Sequence, residues 1–115
     1  MAGGREVDAA VLRRLATAIG GEGAHEVIDA YLDDAPNRLA DFRRGLEASD
    51  LELARRAAHT LKSTAASLGA KGFAELCDEA EAAARVGDAI GLRALLPQLD
   101  ARLSRVLEEL RRAAR

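Results

Sequence analysis

The sequence predicts an all-α fold: an antiparallel up-down four-helix bundle with a short N-terminal capping helix. Three observations carry that prediction. Alanine and leucine supply most of the apolar residues, which make up 49% of the 115-residue chain, and only Tyr31, Phe42 and Phe73 are aromatic. Ala and Leu head the helix-propensity ranking, and the few β-branched residues leave little from which to build strands. Apolar residues also recur at alternating spacings of three and four along several segments, the period of a helix with one buried face. Finally, the connections are short and marked by glycine, so successive helices should run antiparallel.

The first helix is expected from about Asp8 to Ile19, with Val11, Leu12, Leu15 and Ile19 as its apolar stripe and Gly20-Gly21 as its stop. Two successive glycines suit the left-handed conformation that follows a helix. The second is expected from about Ala24 to Ala48, with Ile28, Leu32, Ala35, Leu39, Phe42 and Leu46 inward. Pro36 lies inside it and predicts a kink or two abutting helices, because proline removes one hydrogen bond and crowds the preceding turn. Ser49-Asp50-Leu51-Glu52 reads as a capping box that starts a third helix running to Leu68, with Gly69 as its stop. A fourth spans about Lys71 to Val86, with Phe73, Leu76, Cys77, Ala80 and Ala84 inward, and Gly87-Asp88 makes the next turn. The fifth runs on to near the C-terminus with Leu92, Leu95, Leu99, Leu103, Val106 and Leu110 inward, and Pro97 is a candidate bend.

Length and charge exclude several classes of function. A chain of this size fits a single domain, here residues 1–115, and buries roughly two-thirds of its unfolded surface without staples. The lone Cys77 excludes a disulfide framework and a cysteine-based zinc site. A formal charge of −2 gives no bulk attraction to nucleic acid or an anionic membrane. The late arginines (Arg102, Arg105, Arg111, Arg112, Arg115) are interleaved with Glu108 and Glu109, so a nucleic-acid arm is not the expected reading. No signal-peptide-like run opens the chain and no stretch approaches the ~20 apolar residues of a membrane span, so the expected location is the cytoplasm. The stripes are used within the bundle, so the expected state is a monomer.

Signatures of a self-contained enzyme are absent from the sequence: there is no phosphate-binding Gly-rich loop, no HExxH and no Gly-x-Ser-x-Gly. His25 and His59 are the only histidines, too few for a His-rich metal site. The carboxylate pairs Asp33-Asp34, Glu79 with Glu81, and Glu108-Glu109 read as solvated helix faces. His59 differs. The inward stripe of its helix is Leu51, Ala54, Ala58, Leu61, Ala65 and Leu68. At about 100° per residue, His59 lies about 135° from the centre of that stripe and should face solvent. Its helical neighbours are Arg55, Lys62 and Ser63, with Ala66 one turn further on. A neutral imidazole is a competent nucleophile, nearby cations can hold a phosphoryl group, and small neighbours leave room for a partner to close over it. The spacing alone favours an ordinary surface histidine with accidental neighbours.

The local sequence separates these readings. Ala57-Ala58-His59-Thr60-Leu61-Lys62-Ser63-Thr64-Ala65-Ala66-Ser67-Leu68-Gly69-Ala70 resembles the signature of histidine-containing phosphotransfer (HPt) domains, roughly His-x-Leu-Lys-Gly-x-Ala followed by a glycine that ends the helix. His59, Leu61, Lys62, Ala65 and Gly69 match it; Ser63 stands where glycine is commonest and keeps the position small. Tyr31-Leu32-Asp33-Asp34-Ala35-Pro36 resembles the aromatic-Leu…Pro stretch of the preceding helix, and Leu76-Cys77 and Gly87-Asp88 fall where such domains carry similar residues.

The resemblance implies a phosphorelay intermediate of two-component signalling. His59 would accept a phosphoryl group through Nε2 from an aspartyl phosphate of a receiver domain and pass it to another receiver. Lys62 would be the phosphate-side cation, Arg55 a further phosphate contact, and Ser63 the small residue beside the nucleophile. Glu81, from the adjacent helix, would orient His59 through Nδ1, with Asp78 as the substitute. The chain would bind no cofactor and have no kinase or ATPase activity of its own; Mg²⁺ is expected in the partner receiver. Expected partners are response-regulator receiver domains, a hybrid histidine kinase, or both, docking around His59 on residues such as Val11, Leu12 and Ala66, although Leu12 suits packing of the cap onto the bundle better. Two rival readings are the phosphoacceptor domain of a chemotaxis-type histidine kinase, which normally continues into further domains, and a non-catalytic helical adaptor that only binds a receiver. Met1 points to a free-standing protein.

Overall fold

The structure, a computed structural model, describes residues 5–114, so Met1 and Arg115 lie outside the described residues. Five helices account for nearly all of it: α1 (Ala9–Ile19), α2 (Gly21–Glu47), α3 (Leu51–Ser67), α4 (Lys71–Arg85) and α5 (Ala89–Ala113). No strand occurs among the described residues. Helix α2 packs on α3 and α5, α3 packs on α4, α4 packs on α5, and α1 lies against α2. Phe42, Phe73, Leu61, Leu92, Leu99, Val106 and Leu110 form the fully buried centre, with the free Cys77 among them. Burial pushes the Cys77 thiol up to about 12, which leaves it an inert core group.

Helix α1 begins where Asp8 accepts a hydrogen bond from the Ala10 N–H. Its expected stripe is only partly inward: Leu12 and Leu15 pack at the edge of the core, and Ile19 is 49% exposed. The segment before α1 is held mainly by polar contacts. Glu109 of α5 accepts the N–H groups of Glu6 and Val7, both at 2.9 Å. The Glu6 carboxylate in turn accepts from Arg102 at 2.9 Å and Arg105 at 3.1 Å. The Asp8 N–H donates to the Gly69 carbonyl at 3.0 Å. Gly69 has φ +84, and a Cβ there would lie 2.9 Å from both the Asp8 carbonyl oxygen and the Val11 Cβ, so both backbone and space require glycine.

Three boundaries differ from the sequence reading. Only Gly20 takes a left-handed φ; Gly21 already belongs to α2, because the Ala24 N–H bonds the Gly20 carbonyl and closes a turn three residues earlier than expected. Pro36 sits on the exposed face of a single helix, whose buried stripe of Tyr31, Ala35, Leu39 and Phe42 runs past it on the other side. The start of α3 is capped by Asp50, which accepts from the Leu53 N–H, and not by Ser49. Ser49 has φ +56 and makes the turn out of α2, so it is unavailable as a cap. That turn is tight: a Cβ on Gly45 would lie 2.8 Å from Ala54 N and Asp50 O.

Candidate functional site

Helix α3 presents His59 as its periodicity predicts. Ala54, Ala58, Leu61, Ala65 and Leu68 are buried, and the His59 side chain is 56% exposed on the opposite side. Tyr31 of α2 fixes α3 from below by donating its hydroxyl to the Leu61 carbonyl at 3.3 Å, and burial raises the Tyr31 pKa well above its ordinary value. On the other flank, alanines at 54, 57, 58 and 65 of α3 and at 74, 80 and 84 of α4 are buried, which lets these two helices approach closely.

Glu81 occupies that close contact. It lies four residues after Cys77 and three before Ala84, on the edge of the α4 apolar stripe, and is only 3% exposed. A carboxylate so buried requires partners. Its Oε2 lies 3.0 Å from His59 Nδ1 and 3.2 Å from Arg85 Nη2, and its Oε1 accepts from Lys62 Nζ at 2.6 Å. The Lys62 ammonium, with His59 adding to it, holds the Glu81 carboxyl below the usual carboxylate range against the opposing effect of burial. An ionised carboxylate can only accept, so His59 carries its proton on Nδ1. In the neutral ring the lone pair is then on Nε2, the ring nitrogen farther from the backbone.

Lys62 is shared. Besides Glu81 it reaches Asp78 Oδ1 at 3.1 Å, and the two carboxylates, Glu81 foremost, raise its pKa above the ordinary lysine value. Arg55 is turned mainly to Glu52, with bonds of 2.8 and 2.6 Å, and stands 3.7 Å from Glu81 Oε2. The Ser63 hydroxyl donates to the His59 carbonyl at 3.1 Å, one turn back, so it occupies little space beside the ring.

These positions can be set beside known proteins. The family model described as the Hpt domain matches residues 26–113. The chain belongs to the Hpt domain family. The structure is also similar to the crystal structure of histidine-containing phosphotransfer protein B (HptB) from Pseudomonas aeruginosa PAO1. The TM-score is 0.90, with 25% sequence identity and coverage of 97% of this chain and 96% of that one. No curated protein matches the sequence. As an Hpt domain, the chain has a histidine phosphotransfer role in the phosphorelays of two-component signalling. Hpt domains work with receiver domains and kinases.

The structure brings His59, Glu81 and Lys62 into one hydrogen-bonded cluster, with Arg55 and Ser63 at its margin. Sequence reasoning missed Arg85, although its position one turn after Glu81 is a detectable signal. Glu81, the partner expected for His59, lies against its Nδ1, while Asp78, the substitute, meets Lys62 instead. Beside this cluster an apolar groove is lined by Val11, Ala66, Gly69 and Ala74, with Lys62 and Asp78 on its edge. His25 is remote from it and donates through Nε2 to the Ala114 carbonyl. Among the described residues, no group of three or more His, Cys, Asp and Glu side chains is placed to hold a metal ion, and no helix is long and apolar enough to cross a membrane.

Proposed function

We propose that His59 is the phosphoacceptor, taking a phosphoryl group from an aspartyl phosphate of a receiver domain and returning it to a receiver. The observation that carries this reading is the half-exposed imidazole tied through Nδ1–H to the buried Glu81. The Nε2 lone pair attacks phosphorus. The bond from phosphorus to the aspartyl oxygen breaks, and its electron pair leaves on the receiver's carboxylate. The proton on Nδ1 stays where it is, and Glu81 faces the positive charge that develops on the ring. The same steps in reverse discharge the group, because nothing is lost to solvent.

Lys62 supplies the cation on the phosphate side, Arg55 adds a second one, and small Ser63 leaves room for the partner's active site. Mg²⁺ and most of the charge stabilisation come from the receiver; this chain supplies a positioned nucleophile and no nucleotide site. We read α2–α5 as an antiparallel up-down four-helix bundle capped by α1, and residues 1–115 as one Hpt domain. It acts as a monomer in the cytoplasm, without membrane or nucleic-acid partners.

Incubation with a phosphorylated receiver domain tests the reading. Acid-labile phosphate is expected on the wild type and not on His59→Gln. Binding to receivers without transfer from any of them would replace the relay with the adaptor reading. Labelling only by a kinase domain with ATP would favour the acceptor domain of a chemotaxis-type kinase.

A further inference from the structure

Lys62 faces two carboxylates of very different character. Glu81 is 96% buried at its side chain, holds Lys62 at 2.6 Å, and is fixed by its other oxygen to His59 and Arg85. Asp78 is 68% exposed, holds Lys62 at 3.1 Å, and lies one turn earlier on α4. An ammonium has three donors. One is committed to the buried carboxylate, which has no alternative environment. A second is engaged by the exposed one, which water can satisfy as well.

A phosphoryl group arriving on Nε2 can take the third Lys62 donor, and its further oxygens compete for the two already engaged. The bond to Asp78 is the one that yields, because breaking it exposes two groups that solvate readily. Breaking the bond to Glu81 would instead leave a buried charge short of a partner. We propose that Asp78 is a positioning residue that acts through Lys62, holding the ammonium in the unphosphorylated protein and releasing it to the phosphoryl group. Asp78 thereby lowers the affinity of His59 for phosphate and favours onward transfer. This inference rests on His59 being the phosphoacceptor.

The experiment equilibrates the protein with phosphoramidate at fixed ammonium concentration. The Nε2–P bond forms as the P–N bond of phosphoramidate breaks, and ammonia leaves. Occupancy is read by ³¹P NMR. Asp78→Asn is expected to raise the equilibrium constant for phosphorylation about two- to fivefold, the scale of an exposed ion pair. Asp78→Ser should do the same, and both variants should stay folded, with a denaturant midpoint lowered by no more than one exposed ion pair is worth. In a Lys62→Ala background, Asp78→Asn should have no effect. Equal occupancy in wild type and Asp78→Asn overturns the inference while leaving His59 as acceptor. So does a full effect in the Lys62→Ala background, which would mean that Asp78 acts by its own charge. Absence of phosphate on the wild type from both phosphoramidate and phosphorylated receivers would remove the acceptor reading and this inference with it.

Discussion

Glu81 shows how one buried side chain sets the chemistry of an exposed one. Its carboxylate is kept ionised by Lys62 and His59 and so dictates which nitrogen of the imidazole bears the proton. Replacing it with glutamine introduces an amide whose NH₂ can face Nδ1 and favour the other tautomer. Glu81→Gln is therefore expected to slow phosphoryl transfer at least about tenfold, measured with a phosphorylated receiver under single-turnover conditions. The same contact has a pH signature. The folded pKa of Glu81 lies below its unfolded value, so the stabilisation is complete above the ordinary carboxylate range and is lost as pH falls through the folded pKa. Urea unfolding from pH 7 down to pH 3 should show the wild type losing its advantage over Glu81→Gln only at the acidic end. A gap independent of pH would contradict this account.

Among the elements, the α2–α3 corner is set by backbone proximity more than by side-chain attraction. Gly45 lets the last turn of α2 lie directly on the first turn of α3, where Asp50 caps the new helix. An alanine methyl there meets two backbone atoms at 2.8 Å, and backbone cannot move aside as a flexible side chain can. Gly45→Ala is expected to destabilise the fold by about 1–3 kcal/mol, overcoming the helix-propensity gain of alanine. Chemical denaturation measures it. His59 lies downstream on the same helix, so α3 entering at a different angle would also shift its ring relative to Glu81.

The chain as a whole is closed by contacts about 100 residues apart in sequence. The segment leading into α1 is joined to α5 by Glu109 and by the pairs of Glu6 with Arg102 and Arg105, and to the α3–α4 turn through Gly69. No α1 residue is fully buried, so these polar contacts and the buried Val7 add to the packing of Leu12 and Leu15 in holding α1. Glu109→Ala is expected to cost about 1–2 kcal/mol, the value of charged hydrogen bonds at a partly exposed site. In hydrogen exchange, the amides of Glu6 and Val7 should lose protection while those of α3 and α4 keep theirs. Because Val11 of α1 lines the groove beside Lys62, the same clasp shapes one wall of the surface next to His59.

The sequence by itself determined what depends on local periodicity and composition: an all-helical chain, the buried stripe of α3, and the outward placement of His59 between Arg55 and Lys62. These follow from a helix advancing about 100° per residue, whatever packs against it. It misplaced the cap of α3, because Ser49 and Asp50 are both good caps and the choice depends on which of them the turn needs in a left-handed conformation. Only the tertiary structure decided the connections of the site. The family resemblance named Glu81 as the partner of His59, with Asp78 as the substitute. Which carboxylate is buried, and that the other engages Lys62, depends on how closely α4 approaches α3 and at what rotation. Buried alanines on both helices set that approach, and one residue's spacing along its own helix carries no information about it.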